Sequence, residues 1–179
     1  MRILCAILIF FGTAGFAETL GEKELELDEL FVNLQTEDEW EEYENKILVV
    51  FAHSGSASMD LLLERGRNAM DADNFPKAVE HLSALIDHAP DFAEGYNARA
   101  TAYYLMDEYG LSLADIRETL VRNPRHFGAL AGLGFIYEDL EKYEGALAAY
   151  LAAQAVHPHM DNVNAAVTRL QTRLEGAAL

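Results

Sequence analysis

The chain has 179 residues, enough for one domain with a fair core, and sets 30 acidic residues against only 13 lysines and arginines. A surface that negative repels phosphate backbones and anionic lipid, which argues against nucleic acid as a partner and favours basic or neutral ones. Half of the residues are hydrophobic all the same, 51%, so the charge does not imply global disorder.

The first segment reads as a targeting signal. Met1 and Arg2 open an apolar run that ends at Ala17. Gly15 and Ala17 then supply small residues at the −3 and −1 positions of a cut before Glu18. The expectation is export to a bacterial periplasm with cleavage after Ala17. An uncleaved membrane anchor is the alternative, although the run falls short of the roughly 20 residues a span needs. The one cysteine, Cys5, lies inside this segment, so cleavage leaves neither disulfide nor thiol chemistry.

Residues 18–53 are strongly acidic yet periodic. Leu27, Leu30, Phe31 and Leu34 form one helical stripe, and Trp40, Tyr43, Ile47, Val50 and Phe51 form a second. Thr36 and Glu39 have the spacing of a capping box between them. The reading is a helical hairpin with a solvated acidic side, placed to cap one end of the downstream helical segment; an acidic disordered tail is the alternative. Residues 54–58 form a linker. Its serines stand near His53, but G-x-S-x-G is absent, so a turn with Ser58 as helix cap is expected.

From residue 59 the sequence repeats every 34 residues: Pro90, Pro124 and Pro158; Phe75, Tyr109 and Tyr143; Gly66, Ala100 and Gly134; Ala78, Ser112 and Ala146. Such a period fits two helices and a turn. Small residues let paired backbones approach, and proline ends the second helix of each unit at a fixed place. Ala69, Tyr103 and Tyr137 continue the register, with alanine where the first copy lacks the aromatic. After Pro158, Val163, Ala166, Val167, Leu170 and Leu174 form one stripe, with Asp161 placed as its N-cap. Residues 159–175 read as a terminal capping helix with a polar outer face.

With these residues in this register, the segment 59–158 resembles three tetratricopeptide repeats, at 59–92, 93–126 and 127–158. The resemblance implies an all-α fold: an α-solenoid of about three helix-turn-helix repeats, with the N-terminal hairpin and the C-terminal helix at its ends. It also implies a concave groove lined by the first helix of each unit. Carried over position by position, that groove takes Leu63, Arg67 and Met70, then Asn97, Thr101 and Tyr104, then Ala131, Phe135 and Glu138. Asn97 could pair with the backbone of an extended peptide, while Phe135 could equally pack against a terminal helix. The subgroup that clamps acidic chaperone tails needs cationic and amide groups. Here Leu63, Arg67, Ala98, Gly128 and Gly132 stand in those places, which disfavours that ligand.

Little else carries chemistry. His157, His159 and Asp161, and His81, Asp87 and His88, are the tightest histidine clusters, but nothing assures tetrahedral convergence, and they read as surface turn residues. No nucleophile arrangement, calcium loop or phosphate loop is present. No metal, no cofactor, no small-molecule substrate and no enzymatic activity are expected. In "HFGALAGLGF", Gly134 belongs to the repeat register. Gly128 and Gly132 fall at groove positions, and each weakens a helix by about 1 kcal/mol relative to alanine. The functional expectation is a periplasmic adaptor that binds protein or peptide. A self-associating unit with a filled groove, or a membrane-tethered form, is the alternative.

Overall fold

A computed structural model describes residues 14–36 and 38–177, with side chains for residues 25–36 and 38–176. Residues 1–13 of the expected export segment lie outside the described residues. Among those described, the chain is a succession of helices: α1 (Ala14–Thr36), α2 (Trp40–Phe51), α3 (Ala57–Asp71), α4 (Phe75–His88), α5 (Ala93–Tyr104), α6 (Tyr109–Arg122), α7 (Phe127–Asp139), α8 (Tyr143–Val156) and α9 (Asp161–Ala177). No helix among them is long and apolar enough to cross a membrane.

The small residues in the 34-residue register act where helices cross within a pair. A Cβ on Gly66 would come within 2.6 Å of Leu82, and one on Gly134 would overlap the Tyr150 ring. In the middle pair Ser112 takes the same role, with its hydroxyl donating to the Ala100 carbonyl at 2.8 Å. Stacked pairs then share cores: Leu63, Leu82 and Leu85 with Ala98 and Ala102; Ile116 with Ala129 and Ile136; Tyr150 with Val163, Val167 and Leu170. Each pair needs its neighbour to complete its apolar face. α9 does so for α7 and α8.

The turn inside each pair is built the same way three times. Asp73, Asp107 and Glu141 have φ of 54°, 59° and 55°. The following amides of Asn74, Glu108 and Lys142 donate back to Ala69, Tyr103 and Tyr137. This is the Schellman closure, which satisfies orphan carbonyls at a helix end and normally uses glycine. The repeat thus keeps its turn without the residue that fits it best.

Arg99 locks the middle of the array. Its guanidinium donates to both Asp115 oxygens at 2.7 and 2.8 Å and to Ser83 Oγ at 3.0 Å, joining α4, α5 and α6 through a bidentate pair.

Two local expectations need correction. Thr36 donates to the Val32 carbonyl instead of capping α2, whose first residue comes after Glu39 with no side-chain cap. Ser58 lies inside α3; Ser56 precedes the helix, and Asp60 organises the turn by accepting from the Ser54 amide and hydroxyl.

The hairpin does not cap the free end of the first repeat. It lies across the turns that join the second repeat to the third and the third to α9. Phe31, Leu34, Ile47 and Phe51 bury against Phe127, and Phe51 stacks on His126 at 4.8 Å. Arg125 packs over the Phe31 ring and pairs with Asp28 at 2.7 Å. Trp40 stacks on His159 at 5.1 Å and meets His157 edge-on at 5.6 Å. The physical reason is that both hairpin stripes carry aromatics, and these turns present complementary rings. Of the histidines expected at the surface, His157 is instead fully buried and His159 partly so, whereas His88 is exposed; His126 in the preceding turn is nearly fully buried as well.

Candidate functional site

α5 and α7 are the first helices of the second and third repeats, and they diverge enough to leave a cavity of 310 Å³ floored by α6. Asn97, Thr101 and Tyr104 line it from α5, Gly128, Gly132 and Phe135 from α7, and Ile116 from below. The walls are mostly apolar, and the lining contains no carboxylate, imidazole or amine.

The two glycines explain why the space is open. A Cβ on Gly132 would meet only Ile116 Cδ1 at 3.7 Å, and one on Gly128 only the His126 ring at 3.5 Å. Both are ordinary contacts, so helix packing does not require glycine at either place. Gly134, two residues on, is required by Tyr150. Within one helix, then, one glycine serves the core and two keep the groove floor bare.

A polar network closes one end. Glu94, 6% exposed, accepts from Arg67 at 2.6 Å, from the Asn97 amide at 3.2 Å and from His126 Nε2–H at 2.8 Å. His126 Nδ1 accepts the Ala129 amide at 3.1 Å, which fixes the neutral tautomer and caps α7. Three donors on one carboxylate satisfy it away from water. With its amide hydrogens turned to Glu94, Asn97 offers a ligand chiefly its carbonyl oxygen.

At the other end stand two carboxylates. Tyr104 donates to Asp139 at 3.0 Å, and Tyr109 lies 3.4 Å from Asp139 and 3.3 Å from Asp107. Burial, then the Asp139 carboxylate, holds the Tyr104 hydroxyl above its ordinary pKa, so it stays protonated and donating.

Of the nine groove residues expected from sequence, Asn97, Thr101, Tyr104 and Phe135 converge on this cavity. The other five do not. Leu63 and Ala131 are core residues, buried between helices, and Met70 packs against the first core. Arg67 is held by Glu94. Glu138 accepts from Tyr150 and from Arg169 of α9, so it faces the terminal helix; Arg169 keeps its carboxyl below the usual range. Phe135 also touches Tyr150, edge-on at 5.5 Å, but remains partly exposed in the cavity wall. Gly128, Gly132 and Ile116 belong to the site, and the signal for the glycines was their helix-weakening cost. Among the described residues no cluster of histidine and carboxylate side chains has the geometry to hold a metal ion.

No family model matches the chain. A TPR repeat-containing protein of Rhizobium etli is 33% identical over 153 residues, covering 84% of this chain and 75% of that protein. The chain belongs to the tetratricopeptide repeat family. Solved tetratricopeptide domains share its fold. The Sgt2 TPR domain from Aspergillus fumigatus superposes with a TM-score of 0.64 at 22% identity, covering 69% of this chain and 83% of that one. The first TPR of Spaghetti (RPAP3), solved with the HSP90 peptide SRMEEVD, gives 0.62 at 18% identity over 65% and 93% of the two chains.

Proposed function

We propose that this tetratricopeptide protein is a non-enzymatic adaptor that binds a protein or peptide segment in the groove between α5 and α7, and that it acts in the periplasm after export. The observation that carries the binding reading is the bare floor at Gly128 and Gly132. Gly132, inside α7, gives up helix stability with no return from packing, Gly128 in the first turn is likewise not required by packing, and the room they leave lies in a concave, mostly apolar cavity. A solved relative in fold, Spaghetti (RPAP3), is bound to an HSP90 peptide, which supports the same use of the fold here. The export reading rests on the charge, apolar run and small-residue approach of residues 1–17.

The test is crosslinked capture from the native periplasm, comparing the wild type with Gly132→Leu plus Asn97→Ala. A partner held by the wild type and lost by the variant supports the groove. An identical set of partners removes it. N-terminal sequencing of the native protein addresses export: a start at Glu18 supports it, and a retained apolar run favours the membrane-tethered form.

A second reading has an observation of its own. Leu25 and Val49 on the outer side of the hairpin are 70% and 69% exposed, which favours self-association through that face. Sedimentation that stays monomeric at high concentration would remove it.

A further inference from the structure

The polarity of the groove says what chemistry its occupant carries. Of the four carboxylates around it, two are neutralised within the chain. Glu94 is held by Arg67, Asn97 and His126, and Glu138 is held by Arg169. Asp139 and Asp107 differ: tyrosine hydroxyls are their side-chain partners, and among the described residues no lysine, arginine or histidine pairs with either. An acidic surface leaves such groups solvated, but these two stand beyond Tyr104 at the open end of an otherwise apolar cavity.

We propose that the groove, on the reading that it is the binding site, selects an extended segment with one bulky apolar side chain followed by a basic residue. The apolar group seats over Gly132 against Ile116, and the cation meets Asp139 and Asp107. The helix sets the spacing. Seven residues separate Gly132 from Asp139, which is about 10 Å along α7 and two turns, so both face the same way. In an extended peptide, same-face positions two and four residues on lie about 7 and 13 Å away, and a flexible arginine spans the difference. The backbone of such a segment can donate to the Asn97 carbonyl. An acidic tail would meet Asp139 and Asp107 with like charge, and the cations it would need are already engaged.

Fluorescence anisotropy with the mature chain tests this. The probe is a labelled peptide with one leucine and arginines two and four residues after it, in a serine and alanine background. Parallel probes carry glutamate for both arginines, or alanine for the leucine. The arginine probe is expected to bind at least tenfold tighter than either. Asp107→Asn plus Asp139→Asn should abolish the preference over the glutamate probe, and Gly132→Leu should remove binding of the arginine probe, both with helical circular dichroism retained. If the glutamate probe binds as well and Gly132→Leu still removes it, the groove stands and the basic preference falls. If no probe responds to Gly132→Leu, or none binds, the groove itself is not the site and both readings fall.

Discussion

Gly134 and Tyr150 compete for one space: a Cβ on the glycine would overlap the edge of the tyrosine ring, which is fully buried. The same ring donates to Glu138 at 3.0 Å, and burial together with that carboxylate pushes its hydroxyl well above its ordinary pKa. The ring therefore cannot step aside without losing a hydrogen bond in the core. Gly134→Ala should cost roughly 1–3 kcal/mol by overpacking. Gly132→Ala, at a position where the new methyl finds only ordinary contacts, should stabilise by up to about 1 kcal/mol. Urea denaturation of both variants checks the pair. Opposite signs two residues apart are the expected outcome, and equal losses would show that Gly132 also serves packing.

The internal turns offer a second contrast. Asp73, Asp107 and Glu141 all take left-handed backbone, which costs an L-residue roughly 1–2 kcal/mol. Aspartate tolerates it better than glutamate, because its short side chain can hydrogen-bond locally. Glu141→Gly should therefore raise stability by about 1 kcal/mol or less, the extra freedom of glycine in the unfolded chain offsetting part of the relief. Asp73→Gly should gain less. Thermal melts of the two variants decide the order.

The repeat is legible in the sequence because its reasons are local and recur. A small residue where two helices cross and a proline where the second one stops can each be read from their own positions, as with Gly66, Ser112 and Pro124. Half of the groove is legible for a similar reason, since Asn97, Thr101 and Tyr104 keep helical spacing on α5. Leu63 and Ala131 are not, because a small rotation of a helix within its stack turns a groove position into a core one. Nor is the resting place of the hairpin, which depends on Phe51 meeting His126 and Phe127 across the length of the array. The available signal is the unassigned need of Trp40 and Phe51 for a buried partner. Without that partner in view, a histidine in a turn reads as exposed.

Docking of the hairpin leads to a third prediction. Phe51 joins both hairpin helices to α7, with ring centroids 6.3 Å from Phe31 and 6.0 Å from Phe127. Phe51→Ala should cost about 3–5 kcal/mol in the contact it removes. The repeats have cores of their own, so the loss should appear as release of the hairpin instead of global unfolding. Hydrogen exchange should rise across residues 25–51 and at 126–127 while α5 and α6 stay protected. Uniform loss of protection would mean that the hairpin and the repeats fold as one unit.

Acid should act at the same interface, through His157. Its ring is buried beneath Trp40 and Phe127, and its Nε2 lies 3.3 Å from Glu44 without a hydrogen bond. Burial lowers its pKa below the ordinary 6.5; the Glu44 carboxylate opposes that shift, and the nearby His159 reinforces it. A folded-state pKa below the unfolded one means that the unfolded chain takes up the proton first. Stability is then full above pH 6.5 and declines as pH falls from there through the depressed folded value. The slope of that decline is at most about 1.4 kcal/mol per pH unit for one proton. His157→Gln removes this titration while keeping a side chain of similar reach. Melting temperatures from about pH 7.5 to 5 should fall more steeply for the wild type than for the variant. Parallel curves would mean that His157 takes up its proton equally well in both states, with Glu44 compensating for burial in full.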